Sequence, residues 1–225
     1  MKLRGWLAAA PTIILLAGCT NLVPGHPVAA DGAAPAPTTA TTSAAAPPPQ
    51  AAALLTPTGA QTPAGIVTQS PVGVNYFTSA DPPDCAAAIL FVGSPLIPPG
   101  SVDHAETSYT TGGAAMMAES VDVYTETLDP DRLRLDGFTA VSKCTGEAVG
   151  NAPQGPGDPM SLTQFSMAGD GVLVWTMSRP DWTCDYGMVA VEHAVLMLSL
   201  CDAAPGFPME QWATQRREQL LAQDR

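Results

Sequence analysis

The chain has 225 residues, 46% of them hydrophobic and 13% charged, and a formal net charge of −12. That length accommodates one folded domain plus an unstructured segment. The acidity excludes a nucleic-acid-binding surface, which needs a basic patch, and no Lys or Arg stands between Arg4 and Arg132.

At the N-terminus, "MKLRGW" carries two positive charges, "LAAAPTIILL" forms a short apolar core and "LAGC" follows. The apolar run is too short for a permanent membrane span, so residues 1–18 read as an export signal. Leu16-Ala17-Gly18-Cys19 matches the lipobox of bacterial lipoproteins. There a cysteine thiolate takes a diacylglycerol and becomes the new N-terminus, and the small residues before it admit the peptidase. Cys19 is the expected lipidation site, and the expected location is the extracytoplasmic side of the cell membrane. Loss of Lys2 and Arg4 with the signal would take the formal charge from −12 to −14.

Residues 19–70 follow as a string of Ala, Pro, Thr and Gly with almost no charge. Such a composition buries too little apolar surface to offset ordering entropy, so it reads as a disordered, semi-stiff tether. The folded domain is expected over 71–225.

Within it, "DPPDCAAAIL" predicts a helix start with Asp81 as cap and Cys85 in its first turn. "DHAETSYTTGGAAMMAESVDVYTE" predicts a hairpin turning at Gly112-Gly113. "LDPDRLRLDGFTAVSKCTGEAVG" predicts a helix capped by Asp129, with Leu135, Phe138, Val141 and Cys144 along one stripe; Gly137 is at odds with it. "GNAPQGPGDP" predicts a loop, and "MSLTQFSMAG" and "GVLVWTMSR" predict strands. Trp175 and Met177 read as core. "MEQWATQRREQLLAQ" closes the chain as an amphipathic helix using Met209, Trp212, Ala213 and Leu220. Helices interspersed with hairpins make an α+β fold with a mostly antiparallel sheet.

Outside the cytoplasm the four remaining cysteines favour two disulfides. Cys184 and Cys201 lie equally far from a centre between Glu192 and His193. A hairpin about that centre sets them directly opposite, at a separation a disulfide can bridge. Met188 then faces Met197 on the cysteine side, and Val189 faces Leu196 on the other. The remaining pair is Cys85 with Cys144. Strand 194–201 is apolar on both faces, so it is covered twice or lines an apolar groove. Trp182 beside Cys184 either packs on the disulfide or lines that groove, whose expected residues are Trp182, Tyr186, Met188 and Met197.

Lipobox, Ala/Pro/Thr tether, "DPPDC", a cysteine ending a helix, "WTC", an apolar hairpin, "CD" and a terminal helix together form a pattern. Over roughly residues 71–221 it resembles the extracellular sensor domain of mycobacterial PknH-type receptor Ser/Thr kinases, a domain also found on mycobacterial lipoproteins. The resemblance implies a sheet with helices, disulfides paired first with second and third with fourth, and a ligand-binding cleft. It also leads one to expect a more basic, Asn-containing hairpin tip, where this chain has Glu192-His193.

Catalytic motifs are lacking: neither "VGSPL" nor "TTGGAA" forms a nucleophile elbow. His104 and Glu106 share a strand face but read as surface, and His193 reads as a solvated turn residue. The expectation is a lipid-anchored, non-catalytic binding or sensor module of the envelope, without cofactor or metal, taking an apolar or glycan ligand. A lipid or glycan carrier is the alternative, and an envelope hydrolase acting through His104 is a third reading.

Overall fold

The computed structural model describes residues 50–74 and 76–223; the export signal and Cys19 lie outside them. The first described elements fall in the segment that composition assigns to the tether. They are helix α1 (Ala51–Leu54) and strands β1 (Gln61–Thr62), β2 (Gly65–Ile66) and β3 (Thr68–Ser70). Ala51, Leu54, Leu55 and Val67 are buried, so the tether boundary expected at residue 70 is too late by about the length of this segment. Composition misled because the partners of these few apolar residues lie far along the chain.

The body continues with β4 (Ser79–Asp81), a 3-10 turn over Pro83–Cys85 and helix α2 (Ala86–Ile89). Asp81 ends a strand here and caps nothing, since Pro82 occupies the N-cap position. The predicted hairpin is β5 (Asp103–Thr110) with β6 (Met116–Val123), followed by α3 (Pro130–Val141). Asp129 caps α3 by accepting a hydrogen bond from the Arg132 N–H at 3.0 Å. Of the predicted stripe Val141 and Cys144 are buried and Phe138 is partly buried, but Leu135 is 48% exposed. Leu133 takes its place against the core.

The expected loop after Cys144 contains a small hairpin, β7 (Glu147–Ala152) and β8 (Gly155–Pro156). Gly155, at φ 128°, supplies the backbone angle that its turn demands. Strands β9 (Met160–Gly169), β10 (Val172–Arg179), β11 (Trp182–Val191) and β12 (Ala194–Asp202) precede the closing helix α4 (Met209–Gln223).

All strand pairings are antiparallel, and the main sheet runs β3-β5-β6-β12-β11-β10-β9-β7-β4, with β8 beside β7. The fold is α+β. In the central hairpin Cys184 pairs with Cys201, Met188 with Met197 and Val189 with Leu196. Two residues, Glu192 and His193, suffice for the turn, which is secured from outside by Tyr124 and Leu128 N–H groups bonded to their carbonyls.

Alternation along β10, β11 and β12 sorts the side chains into two cores. One face carries Leu173, Trp175, Met177, Tyr186, Met188 and Met197 and is covered by α2 and α3. The other carries Val174, Val189, Leu196 and Leu198 and is covered by α1 and α4. Strand β12 is thus apolar on both sides because both sides are covered. Gly137 finds its reason here: a Cβ at that position would meet Leu173 at 3.0 Å, so glycine lets α3 lie close on the sheet.

Candidate functional site

Both disulfides, Cys85–Cys144 and Cys184–Cys201, lie on the α2/α3 face. The first ties the turn before α2 to the end of α3, holding these covers over the half of the sheet nearest the 192–193 turn. The second closes the opposite end of the β11–β12 hairpin. A cavity of about 780 Å³ occupies that end, and its lining includes no residue of α3 and only Ile89 of α2. The volume is within the roughly 300–1,000 Å³ of small-molecule sites.

Its floor consists of alternate residues from adjacent strands: Trp182, Cys184 and Tyr186 of β11, Ser199 and Cys201 of β12, and Met116 of β6. Tyr76 and Phe77, Ile89 at the end of α2, Phe91 just after it, and the β7–β8 hairpin form its walls. Phe77 is seated against the hairpin because Gly150 has no Cβ, which would collide with the phenyl ring. Met116, 59% exposed, and Tyr76, 36% exposed, stand at the mouth.

The charged residues lining the cavity are Asp158 and Arg179, which pair with one another, and Arg179 also bonds Asp181 at 2.9 Å. The lining is mainly apolar, with uncharged polar members such as Ser70, Ser108, Gln154 and Ser199. Tyr186 stacks on Trp175 with ring centroids 5.4 Å apart. Burial, reinforced by the Asp185 charge, raises its phenol well above the usual range, so the hydroxyl stays protonated. That hydroxyl bonds no other described residue, which leaves a donor at the floor for an incoming polar group.

Of the four expected groove residues, the structure brings Trp182 and Tyr186 together in the cavity. Met188 and Met197 do not belong to it. They share the strand face but lie at its covered end, wholly buried, and Met188 is packed beneath Gly137 of α3. Trp182 lines the cavity floor, two residues from Cys184 along β11. Phe77, Phe91, Met116 and Arg179 were missed, because their loops and distant strands meet only in three dimensions. The aromatics in "NYF" and "LF", outside any periodic element, were the available signal.

The polar clusters stand elsewhere. His104, on β5, has Nδ1 3.2 Å from Asp122 and Nε2 3.7 Å from Glu106, and its side chain is 48% exposed. It lines no part of the cavity. Among the described residues no group of three or more His, Cys, Asp or Glu could hold a metal ion. On the opposite face, Glu119 is wholly buried. It accepts hydrogen bonds from the Thr56 N–H and hydroxyl at 2.9 and 2.8 Å, from the Tyr109 hydroxyl at 2.9 Å, and from Arg216 Nε at 3.2 Å.

An antiparallel sheet with helices on both faces makes an α+β fold that a solved structure shares. The crystal structure of the extracellular domain of PknH from Mycobacterium tuberculosis has this fold. It covers 78% of this chain and 98% of that one, with a TM-score of 0.59 and 13% identity. No family model matches the chain. Over 224 residues it is 50% identical to proteins named "Putative lipoprotein LprH" from Mycobacterium tuberculosis and Mycobacterium bovis, covering 98% of this chain and 96% of theirs. The chain belongs to this LprH lipoprotein family.

Proposed function

We propose that the protein is an exported binding module of the cell envelope, anchored through a diacylated Cys19 and non-catalytic. It takes an apolar ligand between Trp182, Tyr186, Phe77 and Met116. One observation carries this reading: a cavity of about 780 Å³ with a mainly apolar lining, whose two charged members pair with one another. Burial of an alkyl chain there is favourable by about 0.8 kcal/mol per methylene. The lipid anchor would hold the cavity near the membrane and its lipids, a location the family's name supports.

The test is a thermal-shift screen of envelope lipid extract, fractionated by polarity, against the wild-type protein and Trp182→Ala. An apolar fraction is expected to raise the wild-type melting temperature and to leave Trp182→Ala unshifted. Equal shifts in both proteins, or none in either, would remove the cavity as the binding site.

A further inference from the structure

On the α4 face, beyond the N-terminal end of that helix, the apolar pattern of the sheet gives way to polar residues. Thr176, Thr183 and Asp185 occupy positions that further along the same strands hold Val172, Val174 and Val189. With the loop 205–208 they line an open pocket of about 350 Å³. Thr163, Gln164 and Ser178 add to its polar lining, and Val174, Phe207 and Met209 are among its apolar members.

Asp185 is the informative residue. It is 8% exposed, on a central strand, yet it has no cationic partner among the described residues. Its Oδ1 accepts a hydrogen bond from the Thr176 hydroxyl at 2.6 Å, which fixes the carboxylate plane. Its Oδ2 receives no donor from the described residues. That oxygen of the carboxylate is not sealed in the interior; it opens on the pocket, where a ligand's hydroxyls can donate to it. Burial raises its pKa above the usual carboxylate range, the Thr176 bond opposing, as expected of an incompletely satisfied acid.

We propose that this pocket is a second binding site, separate from the apolar cavity, for a neutral hydroxyl-rich ligand such as a hexose residue of a glycan. The hydroxyls of such a ligand donate to Asp185 Oδ2 and exchange hydrogen bonds with Thr183, Ser178 and Gln164, and the Phe207 ring covers its C–H face. An anion is excluded by Asp185 and by Glu210 on the rim. An apolar ligand would strand the hydroxyls. The pocket lies on the other side of the sheet from Trp182, so it stands or falls independently of the function proposed above.

The experiment is saturation-transfer NMR on the full-length protein with methyl α-glucoside, methyl α-mannoside and methyl α-galactoside, and with butylamine as the cationic control. At least one glycoside is expected to bind. Asp185→Asn is expected to weaken it about tenfold, the worth of one charge-assisted hydrogen bond. Phe207→Ala, at a partly exposed loop position, is expected to weaken it measurably, and Trp182→Ala to leave it unchanged. Should Asp185→Asn fail to fold, Thr183→Val and Phe207→Ala carry the same comparison. No glycoside binding, binding indifferent to these substitutions, or binding of butylamine alone would overturn the proposal.

Discussion

The two faces of the central sheet are closed by opposite means. The α2/α3 face is held covalently: both disulfides lie there, and their covers leave half the surface open as a cavity. The α4 face carries no disulfide. Apart from the pocket under loop 205–208, it is closed by α4 and the 51–70 segment, locked on a buried ion pair in which Glu119 meets Arg216, Thr56 and Tyr109. Arg216 also donates to the Leu54 carbonyl at 2.6 Å, so a single guanidinium joins the first and last elements described. A binding face cannot rely on complete burial for its stability, because the ligand's place must stay empty. Cross-links that restrict the unfolded chain stabilise it without filling the space.

Breaking the ionic lock should have the largest effect. Arg216→Ala strands a carboxylate in the core and is expected to cost about 3–5 kcal/mol in chemical denaturation. It should also open the 51–70 segment to limited proteolysis before the rest of the domain. A loss under 1 kcal/mol, on the order of an exposed ion pair, would mean the pair closes nothing.

Removing the covalent pins comes next. Cys184→Ser with Cys201→Ser opens a closure of 17 residues and should cost about 3 kcal/mol on the chain-entropy model. The longer Cys85–Cys144 closure, 59 residues apart, should cost about 4. The sharper outcome is selective: loss of Cys184–Cys201 should abolish ligand-induced thermal shift while leaving the Glu119 network intact. Retained ligand shift in that double variant would show that the disulfide does not shape the cavity.

The smallest effect concerns Asp185. Its folded pKa is raised by burial, so the folded chain holds this proton more tightly than the unfolded chain. The resulting stability is complete below the ordinary Asp value of about 3.9 and is lost as pH rises through the folded value. The stability difference between wild type and Asp185→Asn should therefore decline with rising pH across that window. A flat difference would place Asp185 in solvent.

Legibility followed the range of the interactions. The 184–201 register was readable because a hairpin's partners are neighbours in sequence and a two-fold pattern relates them. Asp129 was readable as a cap because it bonds Arg132 three residues on. Leu135 was misplaced because spacing defines a stripe but not the way a helix rolls on its sheet; that depended on Gly137 meeting Leu173. The 51–70 segment was unreadable as structure because Thr56 and Leu54 find their partners 63 and 162 residues away.

From its residues alone, this protein's α+β class, its cysteine pairing, its central hairpin and its resemblance to PknH-type domains were determined. The first three rest on local periodicity, turn chemistry and hairpin symmetry, and the resemblance on the order of motifs along the chain. Where the ordered body begins, which half of a doubly apolar sheet stays open, and which aromatics meet there were decided only by tertiary packing. Which strand faces become floor and which become core depends on how far the helices reach across them, and no spacing along the chain encodes that reach.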